Sequence, residues 1–462
     1  MSKKILLFIL FGFLLNILIS SNYIYKLNSY ETVDTDGSFR HNLIKGINEN
    51  HWNKAYKLKE DINSGKIFFI SGDIYNRNYL PSIVFYIYSI FTGDDLYEVN
   101  NGNLKITDSD KKLFLLIFQS ALFSLSIIFL INVLKNYLNK NILLILAIFF
   151  SIEPTINQWH SSFFSGSIFL SLQIILLSLL LRLDKKYLSF FLIGILSGLL
   201  FAQRSAAIFY FVIIFIYFLI FLEKKKFKKI IIYFFSYLIC LSFILTHNYL
   251  RSGVAYLTPL DQRTALFHYF EPEIISKKEN ISFSDAKKKL SDDLIIWKTE
   301  KKLNLENEKD LIIYLDEKKK RSIKTILSNP TISAKIVLKK TFHSGLLDPV
   351  YVYFFSNTEY EGKNPYYKSD LHAKIVKFRL FYSIFIYIFS IIGFYIALKN
   401  LKMKLIFISC FSYFYFLMIL GWMGSTRYYT ACLPYILIFF SIGINTIFNR
   451  FFLKINLNDL PN

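Results

Sequence analysis

The sequence predicts an all-α polytopic membrane protein with about ten transmembrane helices, and three observations support this. Hydrophobic residues make up 54% of the 462 residues and charged residues only 19%, whereas soluble chains average about 45–50% and about 25%. Ten apolar runs approach the roughly 20 residues that a spanning helix needs. The net charge of +21 is concentrated in the short segments between these runs.

The ten runs differ in how clearly they are delimited. The first begins directly after Lys3 and Lys4, and we interpret it as an uncleaved anchor, since it lacks a small-x-small cleavage site and is long for a signal peptide. The third is the weakest, because Glu153 and Pro154 shorten its apolar part. The predicted spans are 5–22, 113–134, 141–157, 165–181, 187–203, 205–222, 230–247, 380–398, 405–422 and 428–447.

The positions of the charges predict the orientation of the spans. The short loops and the two termini carry most of the basic excess and only three acids, Asp184, Glu223 and Asp459. Because basic loops stay in the cytoplasm, both termini are expected there, with the long polar segments on the outer side. This pattern is typical of a multi-pass protein of a bacterial inner membrane, and no basic stripe suited to nucleic acid is present.

One long apolar stretch tests this topology. Residues 187–222 are apolar except for Gln203-Arg204-Ser205 and have lysine clusters at both ends. A single helix of this length would measure about 54 Å, far more than the ~30 Å hydrocarbon core. The chain is therefore predicted to turn at Arg204, on the outer face.

The topology divides the chain into three predicted domains. Residues 1–248 form an N-terminal membrane domain with seven spans, which includes a long first outer loop at 23–112. Residues 249–373 form a small, mostly helical extracytoplasmic insertion, and residues 374–462 form a C-terminal membrane domain with three spans. Within the insertion, helical composition covers 284–327 and 331–345, separated by Asn329-Pro330.

The first outer loop contains two candidate catalytic carboxylates, Asp34 and Asp36. Asp36 precedes a helical pattern and suits a helix N-cap. The alternative is a carboxylate held near the membrane surface as a general base or a metal ligand. The three cysteines have no metal-ligand spacing, and no metal-binding residue is assigned. The sequence establishes no cofactor, and a divalent cation at the aspartates stays open.

Several cations are predicted to lie at the same membrane face as these aspartates. Arg204, Arg251 and Arg427 each follow or precede an apolar run at its outer end. A lone interfacial arginine can simply extend towards lipid headgroups, but together these residues suit a lipid-linked phosphate, because the guanidinium donates two parallel hydrogen bonds. Lys374, Lys377 and Arg379 lie at the outer entrance of the eighth span, and His160 lies in an outer loop, where an interfacial role is the ordinary interpretation.

Several short motifs follow one another along the chain. Their residues are Asp34 and Asp36 with Phe39; Arg77, Pro81 and Gly93; Gly194, Gly198 and Arg204; Asn248 to Gly253; Asn329-Pro330; and Arg427, Tyr428 and Pro434. This order resembles the GT-C superfamily of polyprenyl-phosphate-sugar-dependent glycosyltransferases, in particular the protein O-mannosyltransferases and the lipid A aminoarabinose transferases. The sequence has Asp-x-Asp-Gly where these families usually have an Asp-Glu pair.

The resemblance implies an inverting glycosyltransferase acting on the extracytoplasmic face. Its donor would be a sugar linked to a polyprenyl phosphate, and its acceptor a protein, lipid or glycan. Asp36 or Asp34 would act on the acceptor hydroxyl. The phosphate would be bound by Arg204, Arg427, Arg251 and Arg77, with Tyr428, His160 and Lys374 as further substrate contacts.

Two other functions are compatible with a chain of this composition. An O-antigen polymerase or ligase also uses lipid-linked sugars. Such an enzyme would be indicated by a site built mainly from Arg and His in a late outer loop. An acidic residue directly after the first helix favours the glycosyltransferase instead. A transporter or flippase would place charged or helix-breaking residues near the bilayer midplane, often in repeated halves. The spans have almost no ionisable residue at mid-depth, and no repeat is apparent.

Overall fold

The computed structural model describes residues 2–27, 97–100, 103–106, 109–160, 165–183, 186–222, 226–252, 254–257, 266–305, 308–347, 370–420 and 429–452. These residues are almost entirely helical. A short antiparallel hairpin of β1 (Tyr97–Asn100) and β2 (Asn103–Ile106) pairs Tyr97 with Ile106. This hairpin departs from the predicted all-α architecture, although its sequence alternates apolar and polar residues on either side of Asn101-Gly102, which is typical of a two-residue hairpin turn.

The described helices fall into two compact units. Of the described residues, those up to 238 and those from 341 onward form the first unit, and those at 239–340 form the second. The first unit contains α1 (Lys3–Leu27), α2 (Ser109–Leu134), α3 (Lys140–Ile152), α4 (Pro154–His160), α5 (Ser165–Arg182), α6 (Tyr187–Gln203), α7 (Tyr210–Phe221) and the first half of α8 (Lys226–Ser252), whose second half belongs to the second unit. The second unit contains α9 (Glu271–Glu279), α10 (Phe283–Glu300), α11 (Glu308–Ser328) and most of α12 (Pro330–Phe342). The last three helices belong to the first unit again, and they are α13 (Asp370–Lys399), α14 (Met403–Leu420) and α15 (Leu433–Phe452).

Every predicted span overlaps one of these helices. Among the described residues, four segments are long and apolar enough to cross a membrane, and they lie in α2, α8, α13 and at α15: Leu116–Leu134, Lys226–Thr246, Lys377–Lys399 and Thr430–Arg450. Shorter apolar helices cover the third to sixth and the ninth predicted spans. The structure is thus that of an apolar helical membrane protein, and the total of about ten crossings stays a prediction.

The third predicted span is interrupted near its end. Helix α3 ends at Ile152, and Glu153 has extended backbone angles of φ −61° and ψ 118° before α4 begins at Pro154. Proline disfavours the helical conformation of the residue before it, which explains the break. The interruption places an acidic side chain between two helices.

Glycines allow the helices of the first unit to approach closely. A Cβ atom at Gly393 of α13 would collide with the backbone of Phe439 in α15, and a Cβ atom at Gly443 would collide with that of Phe389. A side chain at Gly194 of α6 would collide with α8 at Ser236. Small residues at helix crossings are the usual means of packing in membranes, since they let two backbones meet.

The second unit has a core of its own. Seven buried residues of this core come from segments between 256 and 315, including Phe267, Leu294 and Leu311. Lys318 of α11 is 7% exposed, and its ammonium lies 5.0 Å from the Phe267 ring centroid and 4.8 Å from that of Tyr314. The helices predicted at 284–327 and 331–345 are confirmed as α10, α11 and α12, with the predicted break before Pro330.

The burial of Lys318 gives the second unit a pH-dependent stability. Burial, with repulsion from Lys287, lowers the pKa of Lys318 from 10.5 to about 8. The unfolded chain binds more protons between these two values, so the stability contributed by this residue rises with pH across that window. From pH 7 to pH 9.5, we expect the free energy of unfolding of the wild type to rise by about 2 kcal/mol relative to Lys318→Met.

This prediction can be measured by urea denaturation of the intact protein in detergent. Tryptophan fluorescence is a suitable signal, because Trp297 packs against the core of the second unit. The matched control is Lys319→Met, since Lys319 is exposed, and its difference from the wild type should not change with pH. A pH-independent difference for Lys318→Met as well would show that the ammonium is not buried in solution.

Candidate active site

Arg204 lies at the turn of a helical hairpin. It follows the end of α6 with extended angles of φ −149° and ψ 122°, and a short 3₁₀ turn, Ser205–Ala207, leads to α7. Phe190 near the start of α6 packs against Phe218 near the end of α7, with ring centroids 5.2 Å apart. The two helices are therefore antiparallel, and the turn predicted at Arg204 is confirmed.

The Arg204 side chain is directed into the protein. It is 7% exposed, and its guanidinium carbon lies 5.5 Å from the ring centroid of Phe169 in α5. A Cβ atom added at Gly166 would lie 3.9 Å from its Nη1. Cation–π contact with Phe169 favours the guanidinium by roughly 0.5–2 kcal/mol and holds it over the first turns of α5.

Helix α14 fixes the backbone around this turn. The Tyr415 hydroxyl donates a hydrogen bond of 2.6 Å to the Ala206 carbonyl and accepts one of 3.1 Å from the Phe209 N–H. The Tyr210 hydroxyl lies 2.6 Å from that of Ser412. Since both sides of the turn are tied to one helix, the position of Arg204 is determined by α5 and α14 together.

A buried ion pair lies where α3 ends. The Arg379 Nη1 atom of α13 lies 3.5 Å from Glu153 Oε1, with side-chain exposures of 6% and 0%. Glu153 Oε2 accepts a hydrogen bond of 2.7 Å from the Ile156 N–H in the first turn of α4. Arg379 Nε is buried and has no hydrogen-bond partner among the described residues.

Three tyrosine hydroxyls meet about two helical turns along α13 from Arg379. The Tyr387 hydroxyl lies 2.7 Å from that of Tyr429, and the Tyr413 hydroxyl donates to Tyr387 over 3.2 Å. Gly345 fits against this group, because an added Cβ atom would lie 3.0 Å from the Tyr387 oxygen. Tyr429 is 3% exposed and directly follows the predicted site residues Arg427 and Tyr428.

The remaining predicted site residues are placed as follows. Lys374 lies on α13, one and a half turns before Arg379, and is exposed. His160 and Arg251 lie at the ends of α4 and α8. Five predicted site residues lie outside the described residues: Asp34, Asp36, Arg77, Arg427 and Tyr428. Among the described residues, no group of three or more His, Cys, Asp or Glu residues is placed to hold a metal ion.

Sequence reasoning did not select Glu153 or the tyrosines as site residues. Glu153 was treated only as a weakness of the third span, and Arg379 only as one of several interfacial cations. The available signal was an ionisable residue inside a predicted span, which is costly unless it is paired. A pairing with Arg379 was not apparent, because the two residues are far apart in the chain.

The described residues of the first unit thus include a buried guanidinium at a helix turn, a buried ion pair and a cluster of tyrosine hydroxyls. Residues 102–249 match the family model of dolichyl-phosphate-mannose-protein mannosyltransferases. No curated protein matches the chain. The matched segment extends from β2 to α8 and includes Glu153 and Arg204. It covers less than half of the chain, and it supports the resemblance to the GT-C superfamily and a membrane glycosyltransferase.

Proposed function

We propose that the protein is an integral-membrane inverting glycosyltransferase. It would transfer a sugar from a polyprenyl-phosphate-linked donor to an acceptor on the extracytoplasmic face. The observation that carries this proposal is the match of residues 102–249 to the family of dolichyl-phosphate-mannose-protein mannosyltransferases. The matched segment contains the buried Arg204 at its helix turn. A lipid donor also accounts for an enzyme built from apolar helices.

The proposed chemistry is a single displacement. The acceptor hydroxyl oxygen attacks the anomeric carbon from the side opposite the phosphate, so the configuration inverts. The bond from the anomeric carbon to the phosphate oxygen breaks, and the polyprenyl phosphate leaves with the electron pair. Asp36 or Asp34 takes the hydroxyl proton as general base.

The departing phosphate needs fixed positive charge, and the arginines are proposed to supply it. Arg204 is the one whose surroundings the structure describes, and Arg427, Arg251 and Arg77 would complete the set. Preorganised donors aimed at developing charge are usually the largest single contribution to such catalysis. Tyr428, His160 and Lys374 are proposed to contact the sugar or the acceptor.

The aspartates provide the first test of this function. We expect the purified wild type to transfer label from a polyprenyl-phosphate sugar, and Asp34→Asn or Asp36→Asn to lower the rate by about 10²-fold, because a general base contributes at least this much. The product should have the opposite anomeric configuration to the donor, measured by NMR. Full rates for both variants would exclude the aspartates as the base, and use of only diphosphate-linked donors would favour the polymerase or ligase alternative.

The orientation is tested separately from the chemistry. A reporter that is active only outside the cytoplasm is expected to be active when fused after residue 300, and inactive when fused after residue 225, which lies in the predicted cytoplasmic lysine block. The physical reason is that basic loops are retained on the cytoplasmic side. The reverse pattern would place the proposed site on the wrong face.

A further inference from the structure

A cavity with a mixed polar and apolar lining lies at the end of the first unit that is opposite Glu153 and Arg379. Its volume is about 270 Å³, and its lining comes from the turn between α2 and α3, the turn between α13 and α14, and α15. Ala397 of the lining is about 27 Å along α13 from Arg379, at 1.5 Å per residue. The cavity therefore does not belong to the candidate active site.

The lining of this cavity is basic and rich in amides. Lys135 and Lys402 line it together with Asn136, Asn139, Asn400 and Asn445, and none of its lining residues is acidic. Ile142, Ile396 and Ile442 form the apolar part of the wall. Positive charge and amide donors next to an apolar wall match the polarity of a phosphate group attached to a lipid chain.

Asn445 adds an independent observation that points to a ligand. It is 2% exposed, and its Nδ2 donor is buried with no hydrogen-bond partner among the described residues. A buried amide donor without a partner is destabilising, because its lost hydrogen bonds to water are not replaced. An acceptor oxygen in the cavity would satisfy it, and a phosphate has several such oxygens.

The two turns that carry the lysines are held by hydrogen bonds. Asn139 Oδ1 accepts from the Ile142 N–H over 3.0 Å, which fixes the start of α3. At the other turn Leu401 has a positive φ of 52°, and the Lys402 N–H donates to the Ala397 carbonyl over 3.2 Å. The cavity is therefore formed in advance of any ligand.

From these observations we infer that the cavity between α2–α3, α13–α14 and α15 binds a phosphate group, supplied by an anionic lipid. Lys135 and Lys402 would neutralise the phosphate, and Asn445 would donate to one of its oxygens. Basic pockets between membrane helices bind lipid headgroups in this way. The assignment to the cytoplasmic leaflet rests on the proposed orientation, whereas the binding itself does not depend on the orientation or on the proposed function.

The test measures lipid binding to the intact protein in detergent by native mass spectrometry. The probes are phosphatidic acid, diacylglycerol with the same acyl chains, polyprenyl phosphate and inorganic phosphate. The wild type should bind phosphatidic acid or polyprenyl phosphate and not diacylglycerol. The double variant Lys135→Met/Lys402→Met should bind about thirtyfold more weakly, from about 1 kcal/mol per lysine. The matched control is the double variant Lys140→Met/Lys399→Met. These two lysines stand at the helix ends next to the same two turns and do not line the cavity.

The outcomes separate the sources of the phosphate and the alternatives. If inorganic phosphate at millimolar concentration displaces the bound phospholipid, the cavity is a phosphate site that also accepts the free ion. If it does not displace the phospholipid, the lipid-linked phosphate is the ligand. Asn445→Leu, which leaves both lysines in place, should weaken binding several-fold. Equal binding of diacylglycerol, or equal weakening in both double variants, would overturn the inference. Neither result depends on transfer activity, so a failure here is distinguishable from a failure of the proposed function.

Discussion

Replacing Arg204 by alanine is expected to lower kcat/KM for sugar transfer by about 10²–10³-fold, the usual cost of removing one preorganised donor from a developing charge. Arg204 is 7% exposed and its guanidinium lies over Phe169, so it acts where little water can screen it. Arg204→Lys should recover part of the rate, since lysine retains the charge and loses the planar pair of donors.

The experiment compares steady-state rates of purified variants with labelled polyprenyl-phosphate donor. Arg450→Ala is the matched control, because Arg450 is an exposed arginine in the last turn of α15, and it should leave the rate unchanged. Thermal unfolding of each variant separates a local change from loss of the fold. A folded Arg204→Ala variant with the wild-type rate would exclude Arg204 from binding the phosphate.

Removing one partner of the Glu153–Arg379 pair is expected to have the largest effect on stability. Arg379→Met leaves a fully buried carboxylate without its cation, and such a change typically costs about 3–5 kcal/mol. The pair joins the end of α3 to α13, and Glu153 also accepts from the Ile156 N–H. The loss should therefore appear as a lower midpoint of unfolding and not only as a lower rate.

A double-mutant cycle distinguishes the ion pair from general damage to packing. Arg379→Met combined with Glu153→Gln removes both charges, and it should be clearly more stable than Arg379→Met alone. Lys377→Met is the control, since Lys377 is exposed two residues away on the same helix. Additive losses in the double variant would show that the two charges do not interact in the folded protein.

The fold was predictable where local composition determines it. Each apolar run overlaps a helix, and the turn at Arg204 followed from comparing the length of 187–222 with the thickness of a bilayer. The break at Pro330 and the helices around it also followed from local residues. The β1–β2 hairpin was missed although a local signal is present, since both strands alternate apolar and polar residues on either side of Asn101-Gly102.

The candidate site was predictable only in part. The sequence selected Arg204 as a cation at the outer membrane face, but it gave no means of pairing Glu153 with Arg379 or of grouping Tyr387, Tyr413 and Tyr429. Such groups depend on which helices are neighbours. Apolar helices in a membrane have similar lipid-facing and protein-facing surfaces, so their composition does not identify their neighbours.

The sequence by itself determined that this is an apolar helical protein with a basic excess between its helices, and it located the hairpin at Arg204. Both conclusions rest on local properties, namely the length of apolar runs and the position of charges. Only the tertiary structure decided that Glu153 meets Arg379 and that Asn445 lies unpaired in a basic cavity. The physical reason is that close contact between distant residues is set by helix packing at positions such as Gly393 and Gly443, where two backbones approach each other.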